Sequence, residues 1–122
     1  MPIKSYKPTT PSRRKMTTQD FDAVTTKTSV KSLLISKKQK SGRNNSGRIT
    51  VRHRGGGAKR FIRKINFALP EGFVGRVEHI EYDPGRTARI ARVKEANGTL
   101  HYVLAGNGMK VGQEIKSGKV EV

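Results

Sequence analysis

The sequence has no cysteine and no tryptophan, and its first 64 residues hold only two acids, Asp20 and Asp22. Without cysteine there is no disulfide, no thiolate zinc site and no cysteine nucleophile, which fits a reducing compartment. No apolar run reaches the length of a membrane span, and the N-terminus lacks the apolar core of a secretory signal. A soluble, intracellular protein with no membrane partner is expected. A basic, acid-poor start also suits an organellar transit peptide, but Pro2, Pro8 and Pro11 oppose the amphipathic helix such peptides form.

Enzyme chemistry is also missing. His53, His79 and His101 are isolated and show no metal-ligand spacing. The run Gly55-Gly-Gly-Ala-Lys-Arg60 lacks the spacing and the final Ser/Thr of a phosphate-binding P-loop. Glu78 and Glu81 are a nominal carboxylate pair, but on a regular strand they point to opposite sides. Neither catalysis, nor a metal, nor a cofactor, nor a small-molecule substrate is expected.

What the chain does have is positive charge. Its 122 residues carry 26 Lys and Arg against 9 acids, a net charge of +17. Such an excess implies a polyanionic partner, though not a particular fold. The excess is lopsided. Residues 1–64 carry 18 Lys and Arg against 2 acids, and residues 65–122 carry 8 against 7.

The charge peaks in residues 42–60. Arg43, Arg48, Arg52, Arg54, Lys59 and Arg60 occur there with no acid. The middle alternates, so an extended chain over 48–54 puts Ile49, Val51 and His53 on one side and Arg48, Thr50, Arg52 and Arg54 on the other. Gly55, Gly56 and Gly57 follow, allowing close backbone approach and exposing N–H groups. Guanidinium forks and backbone N–H groups both match phosphate oxygens, so folded RNA or DNA is the simplest partner.

Two regions follow from this, an extended basic arm over 1–58 and a β-rich domain over 59–122. Prolines keep residues 1–15 extended, with Arg13, Arg14 and Lys15 as a phosphate contact. Residues 16–32 read as mostly extended chain, and Leu33, Leu34 and Ile35 as an apolar plug before Lys37, Lys38 and Lys40. An arm of this composition buries too little apolar surface to offset its ordering entropy by itself.

In the body, strands are predicted near 59–67, 73–82, 87–96 and 99–105, with a short one near 113–116, after the candidate at 48–54. Gly75 suggests a bend or bulge. Asp83-Pro84-Gly85-Arg86 is a turn, and Asn97-Gly98 a hairpin signal. A two-residue hairpin there faces Val93 with Tyr102 and Ala91 with Leu104. The fold class is therefore mainly β: a small, partly open, five-stranded barrel of the OB type behind a long basic arm, with an SH3-like barrel as the alternative.

Four segments carry a family resemblance. They are Tyr6-Lys-Pro-Thr-Thr-Pro-Ser-Arg-Arg14, Gly42-Arg-Asn-Asn-Ser-Gly-Arg48, Ile49-Thr-Val-Arg-His-Arg-Gly-Gly-Gly57 with Lys59-Arg60, and Ile80-Glu-Tyr-Asp-Pro-Gly-Arg86. A looser match runs from Tyr102-Val-Leu-Ala to Val111-Gly and Ile115-Lys-Ser-Gly118. Together they resemble, in order, the N-terminal half of the universal large-subunit ribosomal protein L-two, in its bacterial or plastid form. The resemblance implies an extended basic arm, an OB-type barrel, large-subunit rRNA as partner, other ribosomal proteins as neighbours, and a role in assembly near the peptidyl-transferase region. The implied setting is the cytoplasmic bacterial ribosome or an organellar one. The family continues into a second, SH3-like barrel and a basic tail with a functional histidine. These are expected to be absent from a chain ending at Val122. Ala58 stands where the family often has histidine.

The expected phosphate contacts are Arg13, Arg14, Lys37, Lys38, Lys40, Arg43, Arg48, Arg52, Arg54, Lys59, Arg60, Arg63 and Lys64. The backbone of Gly55, Gly56 and Gly57 adds N–H donors. Asn44 and Asn45 either read base edges or 2′-hydroxyls, or form a turn. His53 either meets RNA or packs inward. Arg86 either meets rRNA or pairs with Asp83. His79 and His101 read as sheet-surface residues. The competing function is a free-standing OB-type single-strand binder or RNA chaperone. That class stacks bases on aromatic platforms, and here aromatics are few.

Overall fold

The computed structural model describes residues 3–118, so Pro2 and the last four residues of the expected barrel domain lie outside the described residues. The fold is mainly β. Strand β1 (Ile3–Ser5) pairs antiparallel with β2 (Thr17–Gln19), and β3 (Leu34–Ser36) pairs antiparallel with β4 (Phe61–Arg63). Four further strands form one antiparallel sheet. They are β5 (Val74–Glu81), β6 (Ile90–Glu95), β7 (Leu100–Leu104) and β8 (Glu114–Lys116), in the order β7-β6-β5-β8.

One face of this sheet holds the apolar core of Phe73, Val77, Ile80, Ala91 and Val93, with Leu69, Val103, Ala105, Met109 and Ile115 packed around it. Full burial of a side chain such as Val77 or Ile80 stabilises by roughly 1.5–3 kcal/mol. Gly75 allows this packing. A Cβ there would lie 2.5 Å from Val93 Cγ1 and 2.9 Å from Phe73 Cζ. The register irregularity on β5 falls later, between Val77 and His79.

The opposite face is buried too. Ile90 and Tyr102 are fully buried but stand apart from that core, and Glu81 is buried with them. Segments N-terminal to the sheet supply the cover. Val30 N–H donates to Tyr102 Oη at 2.9 Å. Thr25 N–H donates to Ile80 O at 2.9 Å, and Thr26 bridges Glu81 in parallel. On the far edge Ile65 bridges Tyr102, and Asn66 N–H donates to Tyr102 O at 2.8 Å. The edge strand β7 and the end of β5 that β8 leaves uncovered thus each receive an added segment, and the sheet closes toward a small barrel of the OB type. Residues 25–36, in the stretch expected as arm, lie partly on the sheet.

Several expectations are corrected. Residues 48–54 form no strand. Ile49 makes one isolated bridge to Arg43, and Ile49 and Val51 are 61% and 51% exposed, so their alternation has no core to face. The prolines do not keep the described part of residues 1–15 extended throughout. Thr10–Met16 make a helical turn, with Arg14 N–H donating to Thr10 O at 3.2 Å, and the chain returns as β2.

The hairpin register differs by one. Ala91 faces Val103 and Val93 faces His101. Gly98 N–H donates to Glu95 O, and Glu95 N–H to Thr99 O, leaving Ala96, Asn97 and Gly98 as a three-residue loop. Gly98 sits at φ +87°, the left-handed position that such loops need. The β5 irregularity also undoes the expected separation of Glu78 and Glu81. Both meet Arg92, at 3.0 Å from its Nε and 3.3 Å from its Nη1 respectively.

Candidate nucleic-acid interface

Residues 40–51 fold back on themselves chiefly through hydrogen bonds to Gly42 and Asn44. Gly42 O accepts from Thr50 N–H at 2.9 Å, Val51 N–H at 3.1 Å and Thr50 Oγ1 at 3.1 Å. Asn44 Oδ1 accepts from Ser46 Oγ at 2.8 Å and Arg48 N–H at 2.9 Å. The Asn44 side-chain oxygen therefore holds the turn. Gly42 sits at φ +67°, and a Cβ there would collide with the carbonyl of Val51. Gly42 is missing from the sequence-derived contacts, although a glycine at each end of Arg43-Asn-Asn-Ser46 is a readable turn signal.

The turn brings residues 39–42 alongside 51–57. A Cβ on Gly55 would lie 2.9 Å from Ser41 Cβ, and one on Gly57 3.3 Å from Gln39 Nε2. Gly56, at φ +75°, has open space beside it. So Gly55 and Gly57 serve close approach within the chain, and Gly56 serves conformation. His53 also takes a left-handed φ of +61°, which costs an L-residue roughly 1–2 kcal/mol. Its exposure rules out inward packing.

Every residue from Arg43 to Ile62 is exposed. Arg43, Arg48, Arg52, Arg54, Lys59 and Arg60 make no ion pair among the described residues. No backbone N–H from Arg52 to Arg60 donates to an acceptor among the described residues. Fixed cations and free N–H donors thus share one short surface. Such a surface is self-repelling alone and complementary to phosphates.

The other expected contacts divide. Lys37, Lys38 and Lys40 are exposed where the chain leaves β3, and Lys37 N–H reaches Arg60 O at 3.4 Å, which joins these lysines to the stretch. Lys64 is exposed after β4. Arg13 and Arg14 are exposed on the turn between β1 and β2, with Arg13 Cζ 5.2 Å from the Tyr6 ring centroid. Asn45 is exposed in the loop.

Arg63 and Arg86 belong elsewhere. Arg63 is largely buried, donating to Phe61 O at 2.9 Å and Ser29 Oγ at 3.1 Å, with Asp83 4.0 Å away. Arg86 Nε donates to Asp83 Oδ2 at 2.7 Å. These two guanidinium groups converge on a buried carboxylate inside the protein.

Among the described residues no helix is long and apolar enough to cross a membrane, and no cluster of three or more His, Asp or Glu is placed to hold a metal. A family model described as the RNA-binding N-terminal domain of ribosomal proteins L2 matches residues 30–117. The match takes in the exposed basic stretch and the whole four-stranded sheet. The chain therefore belongs to the ribosomal L2 family, a family of structural RNA-binding proteins, and carries its RNA-binding N-terminal domain.

Proposed function

We propose that the chain is a structural constituent of the large ribosomal subunit that binds large-subunit rRNA and supports subunit assembly and translation. Residues 43–60 are its main contact. Arg13, Arg14, Lys37, Lys38, Lys40 and Lys64 add phosphate contacts beside it. The observation that carries this reading is the exposure of every residue from Arg43 to Arg60, with cations that make no ion pair among the described residues and, from Arg52 to Arg60, backbone N–H groups that meet no acceptor among them. The barrel provides anchorage. Thr25, Thr26 and Val30 bind the sheet before the stretch, and Ile65 and Asn66 bind it after. Both ends of a charged loop are thereby held against a folded body, which limits the entropy lost on binding.

Other ribosomal proteins are the natural neighbours of such a particle, in a bacterial cytoplasm or an organelle. Sedimentation tests the reading. The tagged chain is expected to travel with large-subunit particles and to bind rRNA far better than a random single-stranded oligonucleotide. Equal affinity for that oligonucleotide would favour a free-standing single-strand binder or RNA chaperone.

A further inference from the structure

Phe21 and Tyr82 are 54% and 43% exposed, yet they pack edge to face with ring centroids 5.3 Å apart. Beneath them lies Arg89, only 5% exposed, its Cζ 4.7 Å from the Phe21 centroid and 5.4 Å from the Tyr82 centroid. Arg89 Nη2 donates to Asp20 O at 2.8 Å, which ties the base of the pair to the chain just after β2. Two aromatic rings are therefore held rigidly at the surface by a buried cation. In a chain with seven Phe and Tyr in all, that is a costly use of apolar area unless something covers it.

The pair forms one wall of a cleft of about 480 Å³ between residues 21–29 and the end of β5. Val24 adds to the apolar lining and Lys27 contributes a cation. Arg63 and Glu81 also line it, and they supply a donor and an acceptor. Arg63 Nε and Glu81 Oε1 are buried and take no hydrogen bond, although Glu81 Oε1 is ion-paired to Arg92. The cleft is thus aromatic on one side, where the two rings stand 67° apart, with donor and acceptor groups of both signs in its lining.

We propose that this cleft takes one unstacked nucleobase of the bound RNA, stacked on the face of Tyr82 with Phe21 against its rim, and with its polar edge toward Arg63 and Glu81. The inference rests on the RNA-binding reading above and adds a second, non-electrostatic contact to it. A phosphate is the poorer fit, because the Glu81 carboxylate lines the same cleft. A base offers an aromatic face together with donors and acceptors on its edge, and unpaired bases in folded RNA are recognised in this way. Sequence reading set stacking aside because the aromatics are few. Phe21 and Tyr82 are 61 positions apart, and only the fold brings them together.

Two readouts test this. Phe21→Trp gives the chain its sole tryptophan. Its emission is expected to be quenched by rRNA and by at least one of the four nucleoside 5′-monophosphates, and not by ribose 5-phosphate. In the otherwise native chain, Tyr82→Leu keeps apolar bulk and removes the π face. It is expected to weaken rRNA binding roughly tenfold and to leave the salt dependence unchanged, since stacking releases no counterions. Equal quenching by ribose 5-phosphate, or rRNA binding that neither alters the emission nor weakens in Tyr82→Leu, would overturn the proposal. Failure of the native chain to bind rRNA at all would instead strike the parent reading, and nucleotide quenching would still report on the cleft.

Discussion

Tyr102 on β7 donates its hydroxyl hydrogen to Glu81 Oε2 on β5 at 2.8 Å, reaching across β6, and the same hydroxyl oxygen accepts the Val30 N–H. One buried side chain thus links two sheet strands to the segment leading toward the basic stretch. Tyr102→Phe removes the shared atom and leaves the Val30 donor and the Glu81 carboxylate short of a partner. The expected loss is about 1–3 kcal/mol in urea unfolding. Protease sensitivity should rise around residues 25–33 before the sheet itself opens.

Burial, first of all, raises the Tyr102 hydroxyl above its ordinary 10.0; the Glu81 carboxylate adds to the effect and the Val30 hydrogen bond opposes it. The native state therefore favours the neutral phenol. Its contribution to stability is complete below the unfolded value and is lost as pH rises through the raised folded value. Urea midpoints measured from about pH 8 to about pH 11 should fall at the alkaline end. That part of the decline should be missing from Tyr102→Phe.

Asp83 is buried, and it serves Arg86 Nε at 2.7 Å, Gly85 N–H at 2.8 Å and Arg63 at 4.0 Å. Asp83→Asn keeps an acceptor for the turn but leaves two guanidinium groups without their counterion. Removing one partner of a buried pair costs about 3–5 kcal/mol. Arg86 is partly exposed, so a loss on the order of 2–3 kcal/mol is expected in chemical denaturation. Arg86→Ala should likewise lower stability more than rRNA affinity.

The strands of the sheet were readable because Ala91 and Val93 alternate onto a real core, which Val77 and Ile80 share across the β5 irregularity. The hairpin register was not, because Asn97-Gly98 suits both a two-residue turn and the last two positions of a three-residue loop. The faces did not settle the choice either, because residues 25–36 and 61–66 bury the second face and make Ile90 and Tyr102 as apolar-facing as Val93. The alternation at Ile49 and Val51 misled for the opposite reason, since nothing covers those side chains. The exposed cations of residues 43–60 were legible from charge alone. The approach of Arg63 to Asp83 was not, because it spans 20 positions of sequence, whereas the Arg86–Asp83 pair, three positions apart, was one of the two readings open for Arg86.

Gly42→Ala should separate the loop from the sheet. The new Cβ would strike the Val51 carbonyl and force φ out of the left-handed region, opening the Gly42–Thr50–Val51 clamp. The urea midpoint of the sheet should hold while rRNA affinity falls about tenfold, through the ordering cost restored to the loop. Gly47→Ala is the control. Gly47 sits at φ +77° but has no atom within 4 Å of the added Cβ, so only the conformational cost, roughly 1–2 kcal/mol, applies there.

The central claim is that the cations of residues 43–60 neutralise RNA phosphates. The direct measurement is rRNA affinity as a function of salt, for the native chain and for a variant with Arg43, Arg48, Arg52 and Arg54 changed to alanine. With six to ten phosphates contacted, native affinity should drop on the order of 10³–10⁵ between about 50 and 200 mM salt, and the variant's log–log slope should be shallower by about 3. An unchanged slope and an unchanged affinity in the variant would contradict the account.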